Sequence, residues 1–360
     1  MVAGVTGGAG QPADVVQFGI AYTAPDVRAE IGLRLAGAMY WAEQPRSYYA
    51  EGVRWLPPLL ATTGSKVDRR VRAKALLAYH LMFWIRSDFT ESKAATQEAL
   101  GIWRELGDNW WISFTLIDYA WHFVYEHDMD TALVHFREAV NLANGVDDKW
   151  VLAIALRGLG AALGRFDYTA ARPVLEESIA IWQRIGDKVK LADALFSLGV
   201  LEDGQKNYER AAKFLRESLI LYREAGSKGY AMYMISFSSV LVHQGDNAEA
   251  TRLLREALSL AQEGGFRWEI AHSLICLGGV AEGQNEFDRA ARLLGVVEPI
   301  FKSMGLDMTA WPAILADYND WTAAARSQLG EETFRAAFAA GRAMTLEQAV
   351  KYALEEAQKP

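Results

Sequence analysis

Residues 167–226 read DYTAARPVLEESIAIWQRIGDKVKLADALFSLGVLEDGQKNYERAAKFLRESLILYREAG. In its first third, Ala171, Val174, Leu175, Ile179 and Trp182 recur at helical spacing, while Glu176, Glu177 and Arg184 fall elsewhere on the wheel. That is the pattern of an amphipathic helix. Gly186 closes it, and glycine suits a helix C-terminus because left-handed backbone costs it nothing. The next segment, LADALFSLGVL from Leu191 to Leu201, is apolar on most sides and so must be sandwiched between neighbours. The pattern then restarts at Tyr208 and closes again at Gly226. One unit is thus an apolar first helix followed by an amphipathic second helix.

The same ending recurs along the chain: WRELG at Gly107, ANG at Gly145, WQRIG at Gly186, YREAG at Gly226, AQEGG at Gly265 and FKSMG at Gly305, with ATTG at Gly64 as a degenerate member. A second marker runs in phase, opening the second helix at Tyr49, Phe89, Met129, Tyr168, Tyr208, Asn247 and Phe287, with spacings of 40, 40, 39, 40, 39 and 40. Loops tolerate insertions, so a spacing held this closely marks each unit as one structural module of the helical-pair kind. Small residues recur too, with Leu198-Gly199 and Leu277-Gly278 in matching places and Leu159-Gly160 offset by one. They let the partner helix approach closely. Alternating β-branched runs and Asn-Gly hairpins are missing. The expected architecture is all-α: a right-handed superhelical solenoid of about seven helical pairs over residues 25–305, with a C-terminal helical cap over 306–360. In the cap, Thr345 and Gln348 are spaced as a capping box, and three helices cover the last apolar face of the array. Residues 1–24, beginning MVAGVTGGAGQPAD, have no basic start and no apolar core, so they read as a flexible lead-in and not a secretory signal.

Composition narrows the function. Of 360 residues, 37 are basic and 45 acidic, and 51% are hydrophobic, as in globular proteins. A net charge of −8 argues against direct nucleic-acid binding. The one cysteine, Cys276, cannot form an internal disulfide. The longest uncharged stretch, Gly229 to Gly245, is too short and polar to span a bilayer. No membrane association is expected, and the location implied is cytoplasmic.

The units at 191–226 and 288–305, with the tail GEETFRAAFAAGRAMTLEQAVKYALE, resemble the tetratricopeptide-like C-terminal region of large bacterial STAND-type regulators. These include LuxR-type transcriptional activators related to the maltose-regulon activator. The Gly-Arg followed by Thr-Leu-Glu-Gln-Ala is the most specific piece. The resemblance covers about residues 25–358 and implies a sensor for an inducer or partner, attached to or associated with an NTPase module and a DNA-binding helix-turn-helix. Those modules are not encoded in these residues: no G-x-x-x-x-G-K-[ST] occurs, since Gly64-Ser65-Lys66 lacks the upstream glycine and the following hydroxyl. The expectation is a sensor arm, as a fragment or a stand-alone relative.

First helices of stacked pairs line the concave side, the default binding surface. Taking Gly199 and Gly278 as the reference, the inward positions are aromatic in the N-terminal half, at Trp41, Trp84, Trp121 and Tyr125. They are mixed in the C-terminal half, at Arg157, Asp193, Phe196, Asp203, Ser239, His243, His272 and Glu282. Rings supply area and polar atoms set orientation, which suits a protein, peptide or small-molecule effector. Large rings at helical spacing also serve as core, and Trp110, Trp111 and Trp150 at first-helix starts read as staples between units.

Catalysis finds no motif. His122 and Glu126 share a helix face, but the second histidine of H-E-x-x-H is missing, leaving His127 and Asp128 as a solvated turn. Cys276 lies inside an apolar first helix, which makes it a buried thiol. No enzyme, cofactor or metal is expected. Two other functions share the fold: a stand-alone peptide receptor like the quorum-sensing repeat proteins of Gram-positive bacteria, and a scaffold between two proteins.

Overall fold

The computed structural model describes residues 25–40, 47–63, 67–85, 88–226 and 231–355. The lead-in over 1–24 and the candidate Trp41 lie outside these residues. Among the described residues every regular element is a helix. The chain divides into two compact units, one ending at Gly107 and one beginning at Asp108. The first unit holds α1 (Pro25–Met39), α2 (Ser47–Thr63), α3 (Arg69–Ile85) and α4 (Phe89–Leu106). The second holds five further pairs: α5 (Asn109–Tyr125) with α6 (Met129–Asn144), α7 (Lys149–Leu163) with α8 (Tyr168–Ile185), α9 (Lys188–Gly204) with α10 (Tyr208–Glu224), α11 (Ala231–His243) with α12 (Asn247–Gly264), and α13 (Arg267–Gly283) with α14 (Phe287–Gly295) and α15 (Val297–Ser303). A 3-10 turn (Met308–Ala310) then leads to α16 (Pro312–Leu329), α17 (Glu331–Arg342) and α18 (Leu346–Leu354).

Capping chemistry sets the helix boundaries. Asp88, Asp128, Asp167 and Asp246 each accept a backbone N–H at the start of a second helix, and Asp108, Asp148 and Asp187 do so for first helices. Each satisfies one of the otherwise orphaned amides there. At the far end of second helices, Gly107, Gly186, Gly226, Gly265 and Gly305 take positive φ, between 66° and 82°. Gly145 differs, with φ −82°. Its amide still closes the helix, donating to the Leu142 carbonyl at 3.0 Å.

Within each pair, glycine decides the approach. A Cβ on Gly160 would lie 2.7 Å from Leu175, on Gly199 2.6 Å from Leu215, and on Gly278 2.8 Å from Leu294. The offset of Gly160 by one residue is thereby absorbed in a shorter turn, and all three glycines receive the equivalent leucine of the second helix. Gly199→Ala should therefore destabilise by about 1–2 kcal/mol even though alanine favours helix. The clash falls on Leu215 Cγ, close to its backbone, which cannot swing aside. A melting temperature unchanged or raised would show instead that the pair has slack. Serine hydroxyls add a second tie: Ser113 to the Ala139 carbonyl at 2.8 Å, and Ser178 to Ala153 and Ser218 to Ala192 at 2.7 Å.

Aromatic rings link successive pairs of the second unit. Trp110 stacks on Trp150 at 5.9 Å and 14°, its indole N–H donates to Asp148 at 2.7 Å, and Trp150 meets the edge of the buried Trp182 at 5.8 Å. At the C-terminal end, α17 crosses α14 in backbone contact. A Cβ on Gly341 would lie 2.1 Å from the Arg292 carbonyl oxygen, and one on Gly295 would lie 2.3 Å from that of Phe338. The Gly-Arg of the tail thus has a steric reason. The Thr345–Gln348 capping box is present, with bonds of 2.8 and 3.2 Å. Arg289 ties down the end of α18 by donating to the carbonyls of Tyr352, Ala353 and Glu355.

Candidate functional site

First helices of the second unit pack on the next first helix, α5 on α7, α7 on α9, α9 on α11 and α11 on α13, so they form one continuous layer, the one the sequence reading expects to be the inner face. Two polar clusters stand on it. The first centres on Asp193 of α9. Its carboxylate accepts the hydroxyls of Tyr222 and Tyr233, the latter at 2.6 Å, and the two hydroxyls are themselves 2.6 Å apart. Lys190 approaches its other oxygen at 3.4 Å. Burial alone would raise this carboxyl, but the charges of Lys190 and Arg157 and the tyrosine hydroxyls outweigh it and hold it below the usual range. Burial, then the Asp193 charge, pushes both tyrosines far above their ordinary value. Phe196 packs its ring against Tyr233 at 4.5 Å. Arg157, Asp193 and Phe196 are thereby gathered at one place, and the cluster holds a full negative charge that four neighbouring groups, Lys190, Arg157, Tyr222 and Tyr233, neutralise or bond.

The second cluster joins α11 to the helix after the last pair. Ser239 Oγ donates to Asp317 Oδ2 and His243 Nε2 lies against Asp317 Oδ1, both at 3.1 Å. Tyr208 stacks on the His243 ring at 4.5 Å and 14°. Asp203 of α9 faces the same spot, and burial followed by the Asp317 charge raises its carboxyl to about 7. His243 is raised in turn, burial being outweighed by Asp317 and Asp203. His272 and Cys276 of α13 are 5% and 1% exposed beside this cluster. Burial lifts the Cys276 thiol well above its ordinary value, so it stays protonated and unreactive.

The remaining candidates are more dispersed. Tyr125 meets Trp311, just ahead of α16, at 5.4 Å, and burial pushes its hydroxyl up to about 12. Trp121 sits half-buried with its edge on Phe136 at 5.5 Å. Trp84 belongs to the first unit, half-buried between His80 and Phe89. Glu282 stands half-buried near the end of α13. His122 is buried at 2% exposure, while Glu126, His127 and Asp128 are exposed and Asp128 is engaged as a cap. Among the described residues no group of three or more His, Cys, Asp or Glu side chains is arranged so that it could hold a metal ion, and no helix is long and apolar enough to cross a membrane.

Tyr222, Tyr233, Trp311 and Asp317 are additions to the sequence reading. Tyr222 had a signal: it stands where WRELG and WQRIG carry the buried Trp103 and Trp182, and a buried hydroxyl needs a partner. Asp317 had none, since its partners are 74 and 78 residues away.

Two histidines make stability depend on acid. Burial holds His272 down at about 4 and His80 at about 3, against weaker raising contacts from Asp317 and Ser92 respectively. The folded values lie below the unfolded one near 6.5, so their contribution is complete above that pH and is lost as pH falls towards 4. Each should cost about 2 kcal/mol by pH 4.5–5. Urea unfolding at pH 7 and 5 checks this, and His272→Gln should flatten part of the dependence.

Sequence-family models for the tetratricopeptide repeat match residues 150–224 and 231–263, and the model of anaphase-promoting complex subunit 5 matches 114–165. HTH-type transcriptional regulators of Mycobacterium tuberculosis and Mycobacterium bovis are 28% identical over 194 residues, which is 51% of this chain and 22% of those proteins. The chain thus spans under a quarter of the curated relatives it matches. The fold is similar to a Rap protein complexed with Competence and Sporulation Factor (TM-score 0.63, 11% identity, 94% of this chain and 90% of that one). It is similar also to the apo quorum sensor NprR of B. thuringiensis (TM-score 0.54, 13% identity, 91% of each chain). The helical pairs within residues 150–224 and 231–263 match tetratricopeptide repeats, and sequence similarity to HTH-type transcriptional regulators extends over about half the chain.

Proposed function

We propose that the chain is the effector-sensing repeat region of a STAND-type, ATP-dependent transcriptional regulator of the LuxR kind. Its effector, a peptide, protein segment or small molecule, binds along the inner face formed by first helices of the second unit. The supporting observation is the concentration of polar groups from α7, α9, α11 and α13 on that face, where packing alone asks only for apolar side chains. Similarity to HTH-type regulators supports the regulatory context. In this reading the region is cytoplasmic, carries no catalysis of its own and contacts neither DNA nor membrane. Nucleotide hydrolysis belongs to an attached or associated NTPase module. The effector acts by binding two arrangements of the repeats unequally, the only way a ligand shifts such an equilibrium.

A second reading, a stand-alone peptide receptor, draws support from fold likeness to the Rap protein complex over nine-tenths of both chains. It uses the same face. Display of random peptides against the full chain tests what the two readings share. A recovered peptide should bind saturably and lose at least tenfold in affinity to Arg157→Glu. Peptides that bind the variant equally well would place the site away from Arg157 and overturn this face, and no saturable peptide at all would favour a scaffold.

A further inference from the structure

The helix after the last repeat does more than cover it. The apolar face of α16, with Tyr318, Trp321 and Ala325 buried, is enough to seal α13 and α14. Trp321 lies flat on α13 because Gly279 has no side chain there; a Cβ would come within 2.5 Å of the indole. Asp317 goes further. It reaches past α13 to Ser239 and His243 of α11, both of them inner-face candidates. Just ahead of α16, Trp311 packs against Tyr125 at 5.4 Å and Trp268 at 6.0 Å. The segment 311–321 thereby occupies three of the positions at which the sequence places a ligand.

We propose that Ser239 and His243 form a carboxylate-binding subsite of the effector face, which Asp317 of the chain's own α16 fills, so that an effector carrying a carboxylate takes its place and releases the helix. This rests on the effector-sensing reading above. The subsite is built for an anionic oxygen pair: one hydroxyl and one ring nitrogen meet the two oxygens separately. It also has unused capacity, because His272 Nδ1, 95% buried next to it on α13, has no hydrogen-bond partner. The plug is held under opposing forces. From α9 and the turn after it come Asp203 and Lys206, from α10 Tyr208, from α13 His272 and Cys276, and from α16 itself Asp320. Asp203 opposes a second carboxylate unless it is protonated, and His243 favours one when charged. Burial and then the Asp317 charge raise Asp203, and Asp317 raises His243 against the effect of burial. Support for the docked carboxylate is therefore stronger at acid pH and fades as Asp203, at about 7, and the raised His243 lose their protons.

Two measurements on the full chain test this. In the first, hydrogen exchange over residues 312–329 should run at least fivefold faster in the isosteric Asp317→Asn than in the wild type at one pH, and protection in the wild type, after division by the intrinsic base-catalysed rate, should be lower at pH 8 than at pH 6. In the second, the probe is a labelled peptide copying residues 311–321, WPAILADYNDW, added to Asp317→Ala/Trp321→Ala, in which both plugging groups are removed. Saturable binding at least tenfold tighter than to wild type is expected. It should be lost with a peptide carrying asparagine at the Asp317 position and with His243→Ala added to the variant. Unchanged exchange in Asp317→Asn overturns the proposal, as does equal affinity for the aspartate and asparagine peptides. If a library peptide depends on Arg157 but is indifferent to Asp317 and His243, this inference fails while the effector-sensing reading stands.

Discussion

Trp182→Ala should lower the unfolding free energy of the second unit by about 4 kcal/mol, the largest loss expected from any single side chain here. Trp182 has no exposed surface and is among the largest side chains buried completely. It closes a ladder that runs through Trp150 to Trp110, so its removal opens a cavity and also leaves the Trp150 face without its edge contact. Surrounding helices cannot collapse into the space, since serine bonds and glycine contacts already fix each pair. For a unit of this size the melting temperature should fall by roughly 10 °C. Trp182→Phe makes the argument specific. The indole nitrogen is buried without a hydrogen-bond partner, so phenylalanine gives up no bond and keeps a ring against Trp150. It should lose less than half as much. Urea unfolding followed by circular dichroism decides it, and similar losses for the two variants would mean that the full bicyclic width of the indole carries the packing.

Much of this was legible because it is local. The spacing of Phe89, Met129, Tyr168, Tyr208 and Phe287 reports one turn repeated, and behind it stands an acidic or amide N-cap one residue earlier at Asp88, Asp128, Asp167, Asn207 and Glu286. Glycines Gly160, Gly199 and Gly278 could be matched because each faces a leucine of its own partner helix. Contacts between distant repeats left no such trace. Tyr125 and Trp311 meet although they are far apart in the chain, and such a contact depends on the summed small rotations between successive pairs, which no one segment encodes. The end of α9 shows the limit at single-residue scale. Asp203 reads as inward and does face Asp317, but its neighbour Glu202 is the one with no exposed surface. Helical periodicity places a side chain on a face; it does not say whether a basic partner from the adjoining helix will enclose it.

That enclosed carboxylate gives the second large effect. Arg172→Ala should cost about 3–4 kcal/mol by leaving Glu202 buried without its principal counter-charge. In the intact protein Arg172 of α8 pairs with Glu202, while Tyr168 donates to it at 3.2 Å and Asn207 at 2.9 Å, and Arg210 stands at 3.5 Å. Three helices therefore converge on one carboxylate: α8 from one repeat and the two helices of the next. Removing Arg172 leaves the neutral donors and the distant Arg210, which is half-exposed and screened by solvent. The pair itself is a poor source of net stability, because desolvating two charges offsets most of their attraction. Arg172→Met with Glu202→Leu should accordingly recover most of what Arg172→Ala loses, and a double-mutant cycle by urea unfolding measures the difference. Failure to recover would mean that Tyr168 and Asn207, left with unsatisfied polar atoms, matter more than the charge. The outcome also bears on the inner face, since Glu202 anchors the same turn of α9 that presents Asp203 to Asp317. If the carboxylate is what fixes that turn, Arg172→Ala should speed hydrogen exchange in α16 as well as in α9, although no atom of Arg172 contacts the last helix pair's cap. Exchange confined to α8 and α9 would assign Glu202 to repeat stacking alone.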